Sequence, residues 1–410
     1  MFDIAVTCLV LTALLAYFNH KFVGLPTTIG VMGIALLLSL ALIGLDKLGI
    51  GALHDYEQHL LSSIDFSDVL MQGMLSLLLF AGALHVDLSE LRAVRVQVGV
   101  LAVLGTVTSA LLVGTGLWYV LPLFGISLPF LYCLLFGTLI SPTDPIAVMG
   151  ILKSAKAPKR LELVIAGESL FNDGVGVVLF TLVLAMVAGG HEPTVSEGLM
   201  LLLEEAGGGI LYGLALGYLL FVMLRSIDSY EVEVLLTLAA VLGGYAMADW
   251  LHVSGPLAMV VVGLLIGNHG RALAMSDKTR QHLDLFWALL DEILNAVLFV
   301  LVGLEVTLIP LSLDIGLAAV VVIALTLLAR LISVAGPIVL FRRAFNLPTG
   351  SWQVLTWGGL RGGISVALAL SLPLGPERDL VLALTYAIVV FAILVQGLTI
   401  GKVIRKAVVT

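Results

Sequence analysis

Long apolar blocks dominate this chain and decide which folds are open to it. Of its 410 residues, 60% are hydrophobic and only 12% are charged, and the mean hydropathy is +1.14. A water-soluble protein of this length needs far more charge to cover its surface. The apolar residues come in blocks of about twenty, the number that a helix needs to cross a bilayer's hydrocarbon core. The sequence therefore predicts an all-α polytopic membrane protein.

About thirteen transmembrane helices fit the hydropathy, and we number them as spans 1–13. They are predicted at residues 4–19, 27–45, 69–86, 98–121, 129–151, 162–188, 204–224, 232–250, 256–268, 285–308, 315–340, 351–371 and 380–400. Sixteen of the 20 lysines and arginines then fall on one alternating side of the membrane. Because basic residues mark cytoplasmic loops, we expect the N-terminus outside and the C-terminus in the cytoplasm.

The two halves of the chain resemble each other faintly. Residues 84–88 match 304–308, Pro26 and Gly33 recur as Pro256 and Gly263, and residues 145–148 match 363–366. Each match is separated by seven spans, so the second copy would enter the membrane from the opposite side. The sequence thus predicts an inverted-topology repeat, which is typical of secondary transporters. Chance similarity between apolar helices is the alternative.

Span 5 contains the sequence SPTDP at residues 141–145, where two prolines flank Thr143 and Asp144. Each proline removes a backbone donor and disfavours helix in the residue before it. We expect an unwound stretch whose free carbonyls and half-helix ends can meet an ion near the middle of the membrane. The alternative is a proline kink in which Asp144 caps the following half-helix.

Span 6 contains the sequence GESLFNDG at residues 167–174. Glu168 and Asn172 are four residues apart, as are Ser169 and Asp173, so four oxygen-bearing side chains share one broad helical face. Oxygen ligands suit hard cations such as Na⁺, and a carboxylate can take a proton at the same place. Carboxylates at membrane depth are costly, which favours a functional site over a structural hydrogen-bond cluster.

Span 12 contains the sequence GGLRGG at residues 358–363, in which four glycines surround Arg361. By the predicted repeat, this segment lies opposite the break in span 5, so spans 5 and 12 are expected to be two crossing broken helices. A buried arginine needs an acid, and Glu168 or Asp144 are the natural partners.

Other charged residues inside or near the spans are harder to assign. Arg330 in span 11 is expected to have a structural role, paired with Glu305 or with a helix end. Asp291 and Glu292 begin the cytoplasmic half of span 10. They either line an inner funnel that attracts cations or are exposed charges at the membrane interface.

The motifs SPTDP, GESLFNDG, FVLVGLE at residues 299–305 and GGLRGG together resemble the sodium/proton exchangers of the first monovalent cation–proton antiporter family. The resemblance covers nearly the whole chain. It implies thirteen helices in a homodimer of the cell's inner membrane, with no cofactor and no nucleic-acid partner. It also implies a dimerisation domain at residues 1–97 and 191–310, the second range including a linker helix, and a mobile core domain at residues 98–190 and 311–410.

The resemblance also implies a role for each site residue. Asp173 is similar to the carboxylate that binds the cation or the proton. Thr143 and Ser169 resemble its oxygen ligands, so that Na⁺ would lie at Asp173, Ser169 and Thr143, with Asp144 nearby. Glu168 resembles an acid that pairs with Arg361. Electrogenic relatives carry a second aspartate at the position of Asn172, so this chain is expected to exchange one cation for one proton.

Two other classes of protein are weighed against an antiporter. Asp144 and Asp173, two aspartates on neighbouring helices, could also form the catalytic pair of an intramembrane aspartyl protease. The Gly-x-Gly-Asp motif of such proteases is absent from the sequence, and they need no buried arginine. A cation channel is disfavoured because broken helices in an inverted repeat are typical of rocking transporters, not of a continuous pore. We therefore expect a transporter and no enzymatic activity.

Overall fold

The computed structural model describes residues 2–47, 73–155, 157–189, 200, 203–304, 313–341 and 345–407. Throughout these ranges the secondary structure is helical, apart from one isolated β-bridge. We number the helices in chain order as α1 Phe2–Phe18, α2 Thr27–Lys47, α3 Leu75–Leu84, α4 Leu88–Arg92, α5 Arg95–Phe124, α6 Phe130–Ile140, α7 Ile146–Ser154, α8 Lys159–Gly189, α9 Leu203–Arg225, α10 Tyr230–Trp250, α11 Gly255–Leu273, α12 Asp277–Leu304, α13 Leu313–Leu340, α14 Ser351–Trp357, α15 Gly363–Leu370 and α16 Pro376–Ala407.

Ten of the described helices are long and apolar enough to cross a membrane. They are α1, α2, α5, α8 to α13 and α16, while α3 and α6 are apolar but shorter. The all-helical membrane fold that the hydropathy predicts is therefore confirmed. The number thirteen stays a prediction, as do the domain boundaries. Glu305 lies outside the described residues, so its predicted pairing is not addressed.

Both segments that the sequence predicts to be broken are broken. Residues 141–145 separate α6 from α7, and residues 358–362 separate α14 from α15. The two breaks meet in the isolated β-bridge, in which the Asp144 amide donates to the Leu360 carbonyl at 2.8 Å. Prolines in one segment and glycines in the other leave backbone groups without helical hydrogen-bond partners. Each break supplies some of the hydrogen bonds that the other lacks.

Helix contacts agree with the predicted internal repeat. On one side α2 packs against α12, where Gly303 approaches the Met32 carbonyl. On the other side α11 packs against α3, where Gly263 approaches the Phe80 carbonyl. The repeat relates α2 to α11 and α3 to α12, so the helix pair α2–α12 is equivalent to the helix pair α11–α3. Small residues at such crossings let two backbones come close, which is the usual way that helices pack in membranes.

Two layers of helices result from this packing. The broken helices α6, α7, α14 and α15 pack with α5, α8, α13 and α16, while α1 to α3 pack with α9 to α12. The contact between the layers includes α8 against α11 and α12 against α15. The two breaks, at residues 141–145 and 358–362, therefore lie beside α8 and face α12 across a gap between the layers.

Candidate functional site

The unwound stretch between α6 and α7 is attached to α8 by a pair of buried side chains. Asn172 accepts a hydrogen bond from the Thr143 amide at 3.2 Å and donates one to Thr143 Oγ1 at 2.8 Å. Ser169, one turn earlier on α8, donates to the Thr143 carbonyl. All three side chains are at most 5% exposed. The face of α8 that the sequence predicts to carry oxygen ligands therefore holds the unwound backbone in place.

Two glycines allow this close assembly. A Cβ atom at Gly176 would overlap the ring of Pro142, so a larger residue on α8 would push the unwound stretch away. A Cβ atom at Gly362 would likewise overlap the carboxylate of Asp144. A glycine of GGLRGG thus makes room for the acid of the opposite break.

Asp173 faces a cavity of about 190 Å³ that also contains Thr143, Asp144 and Ser169. Its side chain is partly accessible, and it makes no hydrogen bond or ion pair with the described residues. A carboxylate in this position at membrane depth must be neutralised by a proton or a cation. Four of the six predicted ion-site residues, Thr143, Asp144, Ser169 and Asp173, thus line one cavity, and Glu168 and Asn172 do not line it.

The cavity offers the ligand chemistry of a hard cation. The carboxylates of Asp173 and Asp144, the hydroxyl of Ser169 and the backbone and side chain of Thr143 supply only oxygen atoms. Oxygen atoms can hold Na⁺, and the same carboxylate can hold a proton, so one site can serve two ions in turn.

The buried ion pair differs from the predicted one. Glu168 is bonded by both of its carboxylate oxygens to Arg330, at 2.5 Å and 3.0 Å, and both residues are at most 5% exposed. Arg330 also donates to the Leu355 carbonyl near the end of α14. The prediction that Glu168 pairs with Arg361 is therefore wrong, because α13 presents Arg330 directly to the face of α8 that carries Glu168.

Arg361 has a different function in the structure. Its guanidinium donates to the carbonyls of Ser141 and Pro142, the latter at 2.8 Å. These carbonyls follow the last turn of α6, where the prolines leave them without helical donors. A cation also suits the negative end of a helix dipole. Arg361 thus stabilises the break in span 5, which agrees with its predicted place opposite that break.

Residues of α12 complete the cavity from the other layer. Asp291 and Asn295 line it, and Asn295 donates to a carboxylate oxygen of Asp291 at 3.1 Å and to its carbonyl at 2.9 Å. Glu292 is exposed and does not line the cavity. The structure therefore favours the prediction that Asp291 lines a funnel leading to the site over the prediction that it is an exposed charge at the membrane interface. Asn295 is not anticipated from the sequence, although its spacing of four residues from Asp291 is a usable signal.

Comparisons with known proteins agree with this geometry. The family model described as "Sodium/hydrogen exchanger, transmembrane" matches residues 10–406. The Na⁺/H⁺ antiporter NhaP of Pseudomonas aeruginosa is 54% identical to this chain, and the match covers 99% of this chain and 97% of that relative. The Na⁺/H⁺ antiporter NhaH of Halobacillus dabanensis is 36% identical, and the match covers 91% of both chains.

A solved structure has the same fold. The sodium proton antiporter MjNhaP1 from Methanocaldococcus jannaschii, solved at pH 8, matches 98% of this chain and 97% of its own with a TM-score of 0.78. The sequences are 19% identical, so this match concerns the fold. The comparisons give no support to a protease or a channel. Because the family model spans almost the whole chain, the protein belongs to the sodium/hydrogen exchanger family.

Proposed function

We propose that this chain is a secondary antiporter that exchanges Na⁺ for H⁺, with both ions competing for the carboxylate of Asp173. The observation that carries the proposal is an acid without a described protein partner, facing a cavity beside two broken helices. Its relatives that are named Na⁺/H⁺ antiporters support the choice of ions. Li⁺ and K⁺ are the alternative cations, because selectivity depends on fine differences in ligand geometry.

Competition at one carboxylate explains coupling without a separate gate. Either ion neutralises Asp173, whereas the empty, charged site is costly to move past apolar helices. In Na⁺ binding, Asp173 supplies the charge, Ser169 and Thr143 supply neutral oxygen ligands, and Asp144 lies nearby. Only the loaded site then moves to the other side of the membrane. Exchange follows because a proton must replace each released cation.

The moving part in this proposal is the layer that carries the breaks. The core domain, residues 98–190 and 311–410, moves against the dimerisation domain, residues 1–97 and 191–310. The functional unit is a homodimer in the cell's inner membrane, with the N-terminus outside and the C-terminus in the cytoplasm. Equivalent helix contacts in the two halves support such alternating access, because inverted repeats allow two similar conformations that open to opposite sides.

The proposal is tested by reconstituting the purified chain in proteoliposomes that contain a pH-sensitive dye. We expect Na⁺ added outside to release protons from the acidic lumen, and we expect the response to saturate with Na⁺ concentration. Parallel additions of Li⁺, K⁺ and choline over a series of pH values measure the cation selectivity. A proton flux that is equal for Na⁺ and choline would contradict exchange.

The stoichiometry gives a separate prediction. Asn172 is neutral and is hydrogen-bonded to Thr143, so of these two adjacent residues of α8 only Asp173 carries a carboxylate that can change its charge. We expect one Na⁺ to be exchanged for one H⁺, and the rate to be the same with and without a membrane potential set by K⁺ and valinomycin. Net Na⁺ accumulation driven by the potential alone would show that exchange is electrogenic.

A third prediction concerns Asp291, which adds a negative charge to the cavity from α12. Replacing it by Asn keeps the shape but removes the attraction for incoming cations. We expect D291N to raise the Na⁺ concentration for half-maximal exchange roughly 3- to 30-fold, while the maximal rate changes little. The matched control is E292Q, which neutralises the exposed neighbour and should leave the Na⁺ dependence unchanged.

A further inference from the structure

A second cavity, of about 580 Å³, lies on the side of the molecule that the basic residues mark as cytoplasmic. One wall is formed by residues 87–95, which contain α4 and lead into α5. The other wall is the end of α11, at Asn268, His269 and Ala272. Because α4 and the start of α5 pack against α8, whereas α11 belongs to the other layer, the cavity lies between the two layers, at the connection through which the chain passes from one layer to the other.

The walls of this cavity are joined by one side chain. Asn268 accepts a hydrogen bond from the Leu88 amide at 2.7 Å and donates to the Val86 carbonyl at 2.9 Å and the Leu264 carbonyl at 2.8 Å. In this conformation the amide uses both of its ends to hold the α11 end beside the start of α4, and so it shapes the cavity.

Two arginines line this cavity without an ion-pair partner among the residues that the structure describes. They are Arg92 and Arg95, and both are exposed. In contrast, Lys159, Arg271 and Arg280 on the same side each have a carboxylate partner. Two guanidinium groups facing one cavity are a strong site for an anion, and His269 beside them can add a donor.

The acid in this cavity is already engaged. The carboxylate of Asp87 accepts hydrogen bonds from the amide and the hydroxyl of Ser89, and from the amide of Glu90, and so caps α4. The bonds from Ser89 hold the pKa of Asp87 below its usual range. Asp87 therefore stays ionised as a helix cap, and no hydrogen bond links it to the two arginines.

We propose that this cavity binds a phosphate group from the cytoplasmic side, carried by an anionic lipid headgroup or by a soluble phosphate, and that the bound phosphate slows exchange. Guanidinium groups match phosphate oxygens in geometry and charge, and basic cavities at the cytoplasmic surface are places where lipid headgroups bind. Residues 88–95 precede residue 98, where the proposed core domain begins, but they pack against α8 and so move with it. A ligand held by Arg92 and Arg95 from this wall and by His269 from the other restrains movement between the layers. This effect on rate rests on the proposed exchange, whereas the binding itself does not.

The experiment compares the whole chain with two variants of equal charge loss. R92Q/R95Q removes the guanidinium groups of the cavity, and K402Q/R405Q removes two exposed basic groups of α16 that do not line it. Each protein is exchanged into detergent with phosphatidylglycerol, and the bound lipid is measured by native mass spectrometry. We expect wild type and K402Q/R405Q to retain the lipid and R92Q/R95Q to retain at least about fivefold less. Equal retention by all three proteins, together with no slowing of exchange by inorganic phosphate in the assay below, overturns the proposal.

The second arm separates the two sources of phosphate and tests the rate. Exchange is measured in phosphatidylcholine vesicles, with phosphatidylglycerol in the membrane or with millimolar inorganic phosphate in solution. Slowing by the lipid alone identifies a headgroup, and slowing by phosphate alone identifies a soluble anion, provided that R92Q/R95Q is insensitive in either case. If binding depends on the two arginines but neither addition changes the rate, the regulatory part is wrong. Loss of exchange in every sample, with binding intact, would instead contradict the proposed function.

Discussion

Replacing Asp173 by Asn is expected to abolish exchange while leaving the protein folded. In the proposed mechanism the carboxylate of Asp173 takes up either a proton or a cation, whereas an amide neither takes up the proton nor supplies a negative charge to the cation. Because Asp173 makes no hydrogen bond with the described residues, the substitution breaks no contact that holds the helices together. We therefore expect Na⁺-dependent proton flux at the level of protein-free vesicles, with an unchanged apparent melting temperature in detergent.

The matched control is another aspartate-to-asparagine change far from the cavity. Asp277 begins α12, and its side chain is 91% exposed, with a weak partner in Arg280 at 3.3 Å. Such a surface pair contributes less than about 1 kcal/mol, so D277N should exchange at the wild-type rate and melt at the wild-type temperature. If D173N still exchanges Na⁺ for H⁺ at a rate similar to D277N, competition at Asp173 is not the mechanism.

Most of what the sequence predicts correctly follows from local chemistry. The break at residues 141–145 is predictable because proline acts on its own backbone and on the residue before it. The shared face of Glu168, Ser169, Asn172 and Asp173 is equally local, since helical spacing alone brings these side chains to one side. The break appears in the structure as predicted. Of the four side chains, Ser169 and Asn172 are bonded to the break and Asp173 lines the cavity beside it, whereas Glu168 pairs with α13.

What the sequence does not predict depends on how distant helices are rotated and at what depth they meet. Glu168 and Arg330 are separated by 162 positions, and nothing in either span indicates which acid meets which arginine. The sequence favours Arg361 as the partner of Glu168 because Arg361 lies opposite the break, yet its guanidinium donates to the carbonyls of Ser141 and Pro142 in that break. The two hydrogen bonds between Asn172 and Thr143 are equally hard to predict, because they form only when the unwound backbone is in place.

The pair of Glu168 and Arg330 gives the second large prediction. Removing one partner leaves a charge buried without its counter-charge, which typically costs about 3–5 kcal/mol. We expect E168A and R330A each to lower the apparent melting temperature strongly and to reduce exchange, since the pair joins α8 to α13 and, through Leu355, to α14. R330K should recover only part of the loss, because lysine keeps the charge but cannot form the two parallel hydrogen bonds.

A double-mutant cycle decides which arginine the acid depends on. If Arg330 is the partner, the double variant E168A/R330A loses much less stability than the sum of the two single variants, with a coupling of roughly 1–3 kcal/mol. The parallel cycle with R361A should give a smaller coupling, because Arg361 donates to the carbonyls of Ser141 and Pro142 and not to Glu168. Apparent melting in detergent measures both cycles under one set of conditions. A larger coupling for Arg361 than for Arg330 would show that the acid belongs to the broken helices and that α13 is held in place by other contacts.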